Sequence, residues 1–205
     1  MPDVYARITE VDAAAVEQVA DAMELSAADP QHQAMVAAYL ADLSLPGEAR
    51  ALEIGCGTGA ISRVIAGRPG IGEVVGVDPS PVLVDKGRAL AADIPNVTFL
   101  EGNGRDLAHE DASFDLVVVH RVLSHVPSPE QVLAEAFRVL RRGGSLAVFD
   151  GDYATITVAT SEVDPLETGR ARAGRPYARP AVLPRRPRLG YARHASDDGS
   201  GHGEQ

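Results

Sequence analysis

Cysteine occurs once in this 205-residue chain, at Cys56, which excludes an internal disulfide and any cysteine-rich zinc site. Lysine is as scarce. Lys86 stands alone with no tyrosine four residues before it, so the tyrosine–lysine pair of short-chain dehydrogenases is excluded. Basic charge is short in general, with 19 lysines and arginines against 29 acids and a formal charge of −10. An extended nucleic-acid surface needs the opposite balance, because neutralising phosphates takes lysine and arginine. No apolar run approaches the roughly 20 residues that span a bilayer, and the N-terminus has no signal-peptide pattern. These absences lead to the expectation of one soluble, cytoplasmic domain without membrane or nucleic-acid partners, large enough to bury a core.

What is present is an alternation of strand and helix signals. Residues 9–25 read as a helix started by Thr9 and Asp12, with Val11, Ala15, Val19 and Met23 on one stripe. A second helix begins at Asp29-Pro30, cap and first turn, and runs to about Leu43. After Pro46-Gly47 come strands at 50–54, 74–78, 97–100, 114–119 and 145–149. Helices fill the gaps at 60–66, from Ser80-Pro81 to about Ala92, and from Pro129 to Arg141 before Gly143-Gly144. In the last helix Val132, Leu133, Ala136, Phe137 and Leu140 are expected to face inward. Strands separated by helices of this length predict an α/β fold, a Rossmann-like doubly wound and mostly parallel sheet with helices on both faces. Ligands in such sheets sit at the carboxyl ends of the strands.

The stretch Glu53-Ile54-Gly55-Cys56-Gly57-Thr58-Gly59 joins the first strand to the first helix of that alternation. Alternate glycines allow a sharp turn and let a ligand approach bare backbone, and the helix behind points free amides at a carboxylate or phosphate. Glu53, two residues before the first glycine, would repel a pyrophosphate but attract an ammonium or sulfonium. S-adenosylmethionine carries both cations and a carboxylate. Asp78 follows Gly59 by 19 residues at the end of the next strand, where an acid can accept from both hydroxyls of a ribose. Alone it is equally a solvated strand-end acid or a helix cap.

The acid-x-Gly-x-Gly-x-Gly pattern resembles motif I of the class I S-adenosylmethionine-dependent methyltransferases. Three further segments resemble that family in order over residues 50–150: Asp78, the loop Glu101-Gly102-Asn103-Gly104-Arg105-Asp106-Leu107, and Val119-His120-Arg121-Val122-Leu123-Ser124-His125-Val126. The turn Arg138-Val139-Leu140-Arg141-Arg142-Gly143-Gly144 resembles the one before the family's fifth strand, with Arg142 in place of its proline. The likeness is to the methyltransferase type 11 and quinone-biosynthesis group. It implies in-line transfer of a methyl group from S-adenosylmethionine to a small molecule. Glu53, Gly55, Gly57, Gly59, Asp78, Asn103, Gly104, Arg105 and His120 would then hold the cofactor. Asn103 stands where the family has an acid for the adenine amine; its amide oxygen can still accept. His120 and His125 are the candidates for a general base, His125 equally for a helix-end histidine. No third or fourth ligand lies near these two histidines, so no metal is expected. Asp150, Asp152 and Tyr153, after the fifth strand, could hold a substrate amine or hydroxyl, or be strand-end polar residues. Residues 1–46 would form a cap or lid, or simply pack on the sheet, and 47–165 the cofactor-binding core.

From about Leu166 the pattern breaks down. Of the last 40 residues 24 are Gly, Ala, Arg or Pro, and the net charge turns from −14 over residues 1–165 to +4 over 166–205. A disordered tail is expected there, and with it the absence of the family's final strand pair, from a shifted reading frame or a degenerate end. The fifth strand would then lie at an open edge and invite self-association. Two alternatives follow: a non-catalytic or damaged binding remnant, and, from the loose Gly-x-Gly-x-x-Ala reading of residues 55–60, a nicotinamide-dependent oxidoreductase.

Overall fold

The computed structural model describes residues 3–151. After a short turn at Tyr5–Arg7 come helices α1 (Ala13–Ala27) and α2 (Pro30–Ala41), then β1 (Ala49–Ile54), α3 (Ala60–Ala66), β2 (Ile71–Asp78), α4 (Pro81–Leu90) and β3 (Val97–Glu101). The second half holds β4 (Phe114–His120), a turn at Leu123–His125, α5 (Pro129–Val139) and β5 (Leu140–Phe149). The strands form one parallel sheet in the order β3-β2-β1-β4-β5. The chain leaves β1 in one direction through β2 and β3 and returns to its other side with β4, so the switch point lies between β1 and β4. This is the expected Rossmann-like α/β fold.

Local chemistry starts most helices where the sequence marks them. Asp29 accepts from the amides of Gln31 and His32, and Pro30 sits in the first turn of α2. Ser80 and Pro81 do the same for α4. At α1 the cap is Asp12 alone, accepting from Ala15, so the helix begins later than Thr9.

Side-chain alternation along the strands divides the core between two faces. Ala51, Val74, Leu116 and Val118 meet α2 and α3 through Tyr39, Leu40, Ile61 and Ile65. Leu52, Ile54, Val117 and Val119 meet α5 through Val132, Ala136 and Val139. β4 is buried over Leu116–Val119, as its unbroken apolar run requires. Helix α1 packs on α4, Val16 and Ala20 against Leu83. Helix α2 thus covers the sheet, while α1 brings Met23 beside the glycine loop.

Three boundaries or faces differ from expectation. α5 stops at Val139, where Leu140 turns extended, and β5 begins there rather than at Ser145. Gly143-Gly144 do not end the helix. They lie in a bulge between the pairs Phe114–Leu140 and Leu116–Ser145, which Gly143 absorbs at φ +79°. Phe137, expected inward, is 40% exposed, because the buried face of α5 runs through Val132, Ala136 and Val139 instead. The expectations for Asp152, Tyr153, the tail and the final strand pair lie outside the described residues. Among the described residues no helix is long and apolar enough to cross a membrane.

Candidate active site

The carboxyl ends of β1 and β4, beside the glycine loop, open into a cavity of about 210 Å³. Its walls include Glu53, Gly55, Gly57, His120 and His125 from the expected set, with Arg121 beside them. Helix α1 contributes Met23, Ser26 and Ala27, α2 contributes His32, and the N-terminal turn contributes Tyr5. Gly59, Asp78, Asn103, Gly104 and Arg105 do not line it.

The loop conformation accounts for its glycines. Gly55, Gly57 and Gly59 have φ of +71°, +54° and +75°. A Cβ on Gly55 would meet Val122 at 2.5 Å, one on Gly57 the Met23 sulfur at 2.9 Å, and one on Gly59 the Phe99 ring at 2.2 Å. Two of these obstacles, Val122 and Phe99, belong to the sheet domain itself, so the glycines serve packing as well as any ligand.

Glu53 is 2% exposed and makes no salt bridge among the described residues. Burial pushes its carboxyl up to about 8, against the opposing hydrogen bonds from Ser62. A buried acid in this state is a site that a cation would relieve, since an opposite charge favours the ionised form. Asp78 is buried too. Its oxygens accept from the amides of Gly57 at 2.8 Å and Ser80 at 2.9 Å, which fastens the glycine loop to the end of β2. Burial raises its carboxyl and those two amides oppose the rise. Cys56 is buried with its thiol pushed up by burial, so it is no nucleophile.

His120 is held on all sides. Tyr39 Oη lies 3.2 Å from Nδ1, His32 Nε2 lies 3.1 Å from Nε2, and Phe149 stacks on the ring. Burial, then the neighbouring His32 and Arg121, push this imidazole down to about 4. The phenol of Tyr39, itself pushed up by burial, stays protonated beside Nδ1. Both ring nitrogens of His120 therefore have a side-chain neighbour at hydrogen-bond distance.

His125 is arranged differently. Its Nδ1 lies 2.7 Å from Asp3 Oδ2, and the Tyr5 ring packs 4.8 Å from its own. Slight burial opposes ionisation of Asp3, but the bond from His125 and the Tyr5 and Ala6 amides hold its carboxyl below the usual range. Asp150 accepts from the amide and hydroxyl of Ser124 and so anchors the turn that carries His125. The Asn103 side-chain oxygen accepts from the amide of Arg105 at 3.0 Å. Gly104 is required by Ile54, whose methyl lies 2.5 Å from where its Cβ would be.

Tyr5, Met23, Ser26 and His32 were not among the expected site residues. The only local signal for His32 is the Asp29-Pro30 helix start, which places it in the first turn of α2 without saying what that turn faces.

A five-stranded parallel sheet with a crevice at its switch point defines a Rossmann-like α/β domain. Residues 52–148 match the family model described as a methyltransferase domain. Over those residues, a little under half of the chain, it is similar to that methyltransferase domain. It is 39% identical over 127 residues to an uncharacterised 37.1 kDa protein in a transposon of Streptomyces fradiae, covering 62% of this chain and 36% of that one. It is 31% identical over 132 residues to a demethylmenaquinone methyltransferase of Staphylococcus aureus, covering 62% and 54%. The solved structure of an S-adenosylmethionine-dependent methyltransferase from Aquifex aeolicus superposes with a TM-score of 0.55. It covers 68% of this chain and 73% of that one, at 20% identity, a likeness of fold. The chain thus spans about a third to a half of the length of these two curated relatives.

Proposed function

We propose that this chain is a methyltransferase that binds S-adenosylmethionine and methylates a small molecule in the cavity at the ends of β1 and β4. The observation that carries the reading is Glu53: a wholly buried acid, unpaired by any base among the described residues, facing a glycine loop in a cavity. A cation is the ligand such an acid calls for. When bound, the cofactor supplies an electrophilic methyl group on a positively charged sulfur.

The chain's own residues do the rest. Glu53 attracts the cationic end, and Gly55 and Gly57 admit it to bare backbone. Asp78 holds the loop in place through Gly57 and, with the loop 103–105, lies on the side where an adenosine would extend. Residues 1–46 act as a cap: α1 presses Met23 on the loop and with His32 of α2 narrows the opening, which excludes water and limits the approach to one direction. His125, held by Asp3, is the base of this reading, and His120 orients α2. A cytoplasmic setting and self-association along β5, which among the described residues pairs only with β4, complete it.

Calorimetry with S-adenosylmethionine, S-adenosylhomocysteine and NAD tests the reading. Binding of the first two and not the third is expected; NAD binding alone would reverse it in favour of an oxidoreductase. Transfer of labelled methyl to a panel of small acceptors then tests catalysis.

A further inference from the structure

Glu53 sits in a largely apolar layer of the fold. Alternation along β1 turns it to the same face as Ala51, where Tyr39, Leu40, Ile61 and Ile65 pack. In the sheet it lies between Gly76 of β2 and Val118 of β4. The polar side chain that reaches it is Ser62, the third residue of α3, which is wholly buried. Its hydroxyl donates to Glu53 Oε2 at 2.5 Å. A serine inside a helix can instead turn its hydroxyl back to the carbonyl four residues earlier. That carbonyl, of Thr58, accepts from Arg63 Nη1, and the Ser62 hydroxyl goes to the acid. Burial opposes ionisation of Glu53 most; Ser62 favours it through hydroxyl and amide, Asp78 at the end of β2 opposes it, and Arg63 of α3 favours it. Tyr39 of α2 and Cys56 of the loop stay protonated beside it, and His32, His120, Arg121 and His125 line the same cavity.

We propose that Ser62 is a positioning residue for donor binding, its hydroxyl holding Glu53 as the ionised carboxylate that the cation of S-adenosylmethionine meets. The inference rests on the donor reading above. A hydroxyl serves both states of the acid, accepting from the protonated carboxyl and donating to the carboxylate. The second bond is the stronger, since a hydrogen bond to a charged group is worth roughly twice a neutral one. Ser62 therefore lowers the cost of ionising Glu53 in the empty site without touching the ligand. The same bond persists when the cation is in place. Its contribution thus falls on the proton that must leave first, and not on the contact between carboxylate and cation. An alanine at this position keeps the helix and the amide, loses the hydroxyl, and leaves a carboxylic acid that gives up its proton less readily.

The test compares the full wild-type chain with Ser62→Ala by calorimetry with S-adenosylmethionine across the neutral and alkaline range. The ligand's own ionisation is common to both proteins and cancels in the ratio of their affinities. That ratio is expected to be about tenfold at pH 7 and to shrink below about twofold by about pH 9, where Glu53 ionises in the variant as well. In a Glu53→Gln background the same substitution should change affinity by less than about twofold at every pH. The carboxyl carbon-13 resonance of Glu53, identified by its loss in Glu53→Gln, reads the cause on the empty protein: its midpoint near 8 should rise by about one pH unit in Ser62→Ala. An affinity ratio that stays constant with pH, or a midpoint that Ser62→Ala leaves in place, would make Ser62 a packing residue and overturn the proposal alone. If S-adenosylmethionine does not bind the wild type, the donor reading falls and takes the proposal with it.

Discussion

Tyr39 meets His120 Nδ1 at 3.2 Å across 81 positions of sequence, and this contact turns a strand-end histidine into a buried, neutral hinge between α2 and the sheet. The sign of the consequence follows from the lowered imidazole. Above pH 6.5 His120 is neutral folded and unfolded, so nothing is lost. As pH falls from 6.5 towards 4 the unfolded chain takes up a proton that the folded one refuses, and stability declines by up to about 3 kcal/mol. Removing the ring with His120→Gln should abolish this part of the acid loss, seen as a wild-type minus variant difference that shrinks over that window in urea titrations. A difference constant with pH would contradict it. Tyr39→Phe should cost about 1–2 kcal/mol at pH 7 by leaving the buried Nδ1 without its partner.

Glu53 shifts in the other direction and predicts the pH dependence of binding. Because its carboxyl is pushed up to about 8, the empty site is protonated at neutral pH, and a cation must displace that proton. Apparent affinity for S-adenosylmethionine should therefore rise about tenfold per unit between about pH 5.5 and 7.5 and level off near 8. Calorimetry in buffers of different ionisation enthalpy should show close to one proton released at the lower end. In Glu53→Gln both the slope and the proton release should vanish, with affinity lowered. For the empty protein the same shift means stability is lost as pH rises from about 4.5 to 8, so Glu53→Gln should melt higher than wild type at the alkaline end.

The two residues also mark what could be read from the sequence. Glu53 announces itself because its chemistry is wrong for a pyrophosphate and its place is set by three glycines. The caps Asp29-Pro30 and Ser80-Pro81 start their helices where written, since a cap acts within three residues. The partners of His120 and His125 were not legible. His32 lies 88 residues from the one, and Asp3 lies 122 from the other. Periodicity tells which face of α2 is buried and not which strand end it meets. Gly143-Gly144 misled for a related reason: a glycine pair after a helix and a glycine pair in a strand bulge look alike until the partner strand is known.

Two glycines of equal backbone strain separate conformation from packing. Gly143 at φ +79° has open space where a Cβ would go, whereas Gly59 at φ +75° has Phe99 carbons at 2.2 Å. Gly143→Ala should cost about 1 kcal/mol, the conformational part alone. Gly59→Ala should cost about 3 kcal/mol or more, because the ring is itself wedged in the core. Adding Phe99→Leu should recover part of the Gly59→Ala loss and none of the Gly143→Ala loss. Equal losses for the two single variants would mean that the loop relaxes away from Phe99.

Among the described residues, Glu24 is the side chain of α1 that holds the glycine loop by hydrogen bonds. One oxygen accepts from the Thr58 hydroxyl at 2.5 Å and the other from Arg63 Nη2 at 2.7 Å, while Arg63 Nη1 donates to the Thr58 carbonyl at 2.7 Å. The two charged side chains are only 28% and 19% exposed, so solvent screens them less than a surface pair. Glu24→Gln keeps the shape of the side chain and removes the charge, which should loosen α1 over the loop by about 1–2 kcal/mol. The loss should be local: amides of α1 should exchange faster, those of β1 and β4 at their former rate, and S-adenosylhomocysteine should leave faster with little change in its rate of entry. Thr58→Val, which removes one of the two contacts, should show a smaller effect of the same pattern. Uniformly faster exchange across the sheet would mean that this ion pair braces the whole fold rather than its cover.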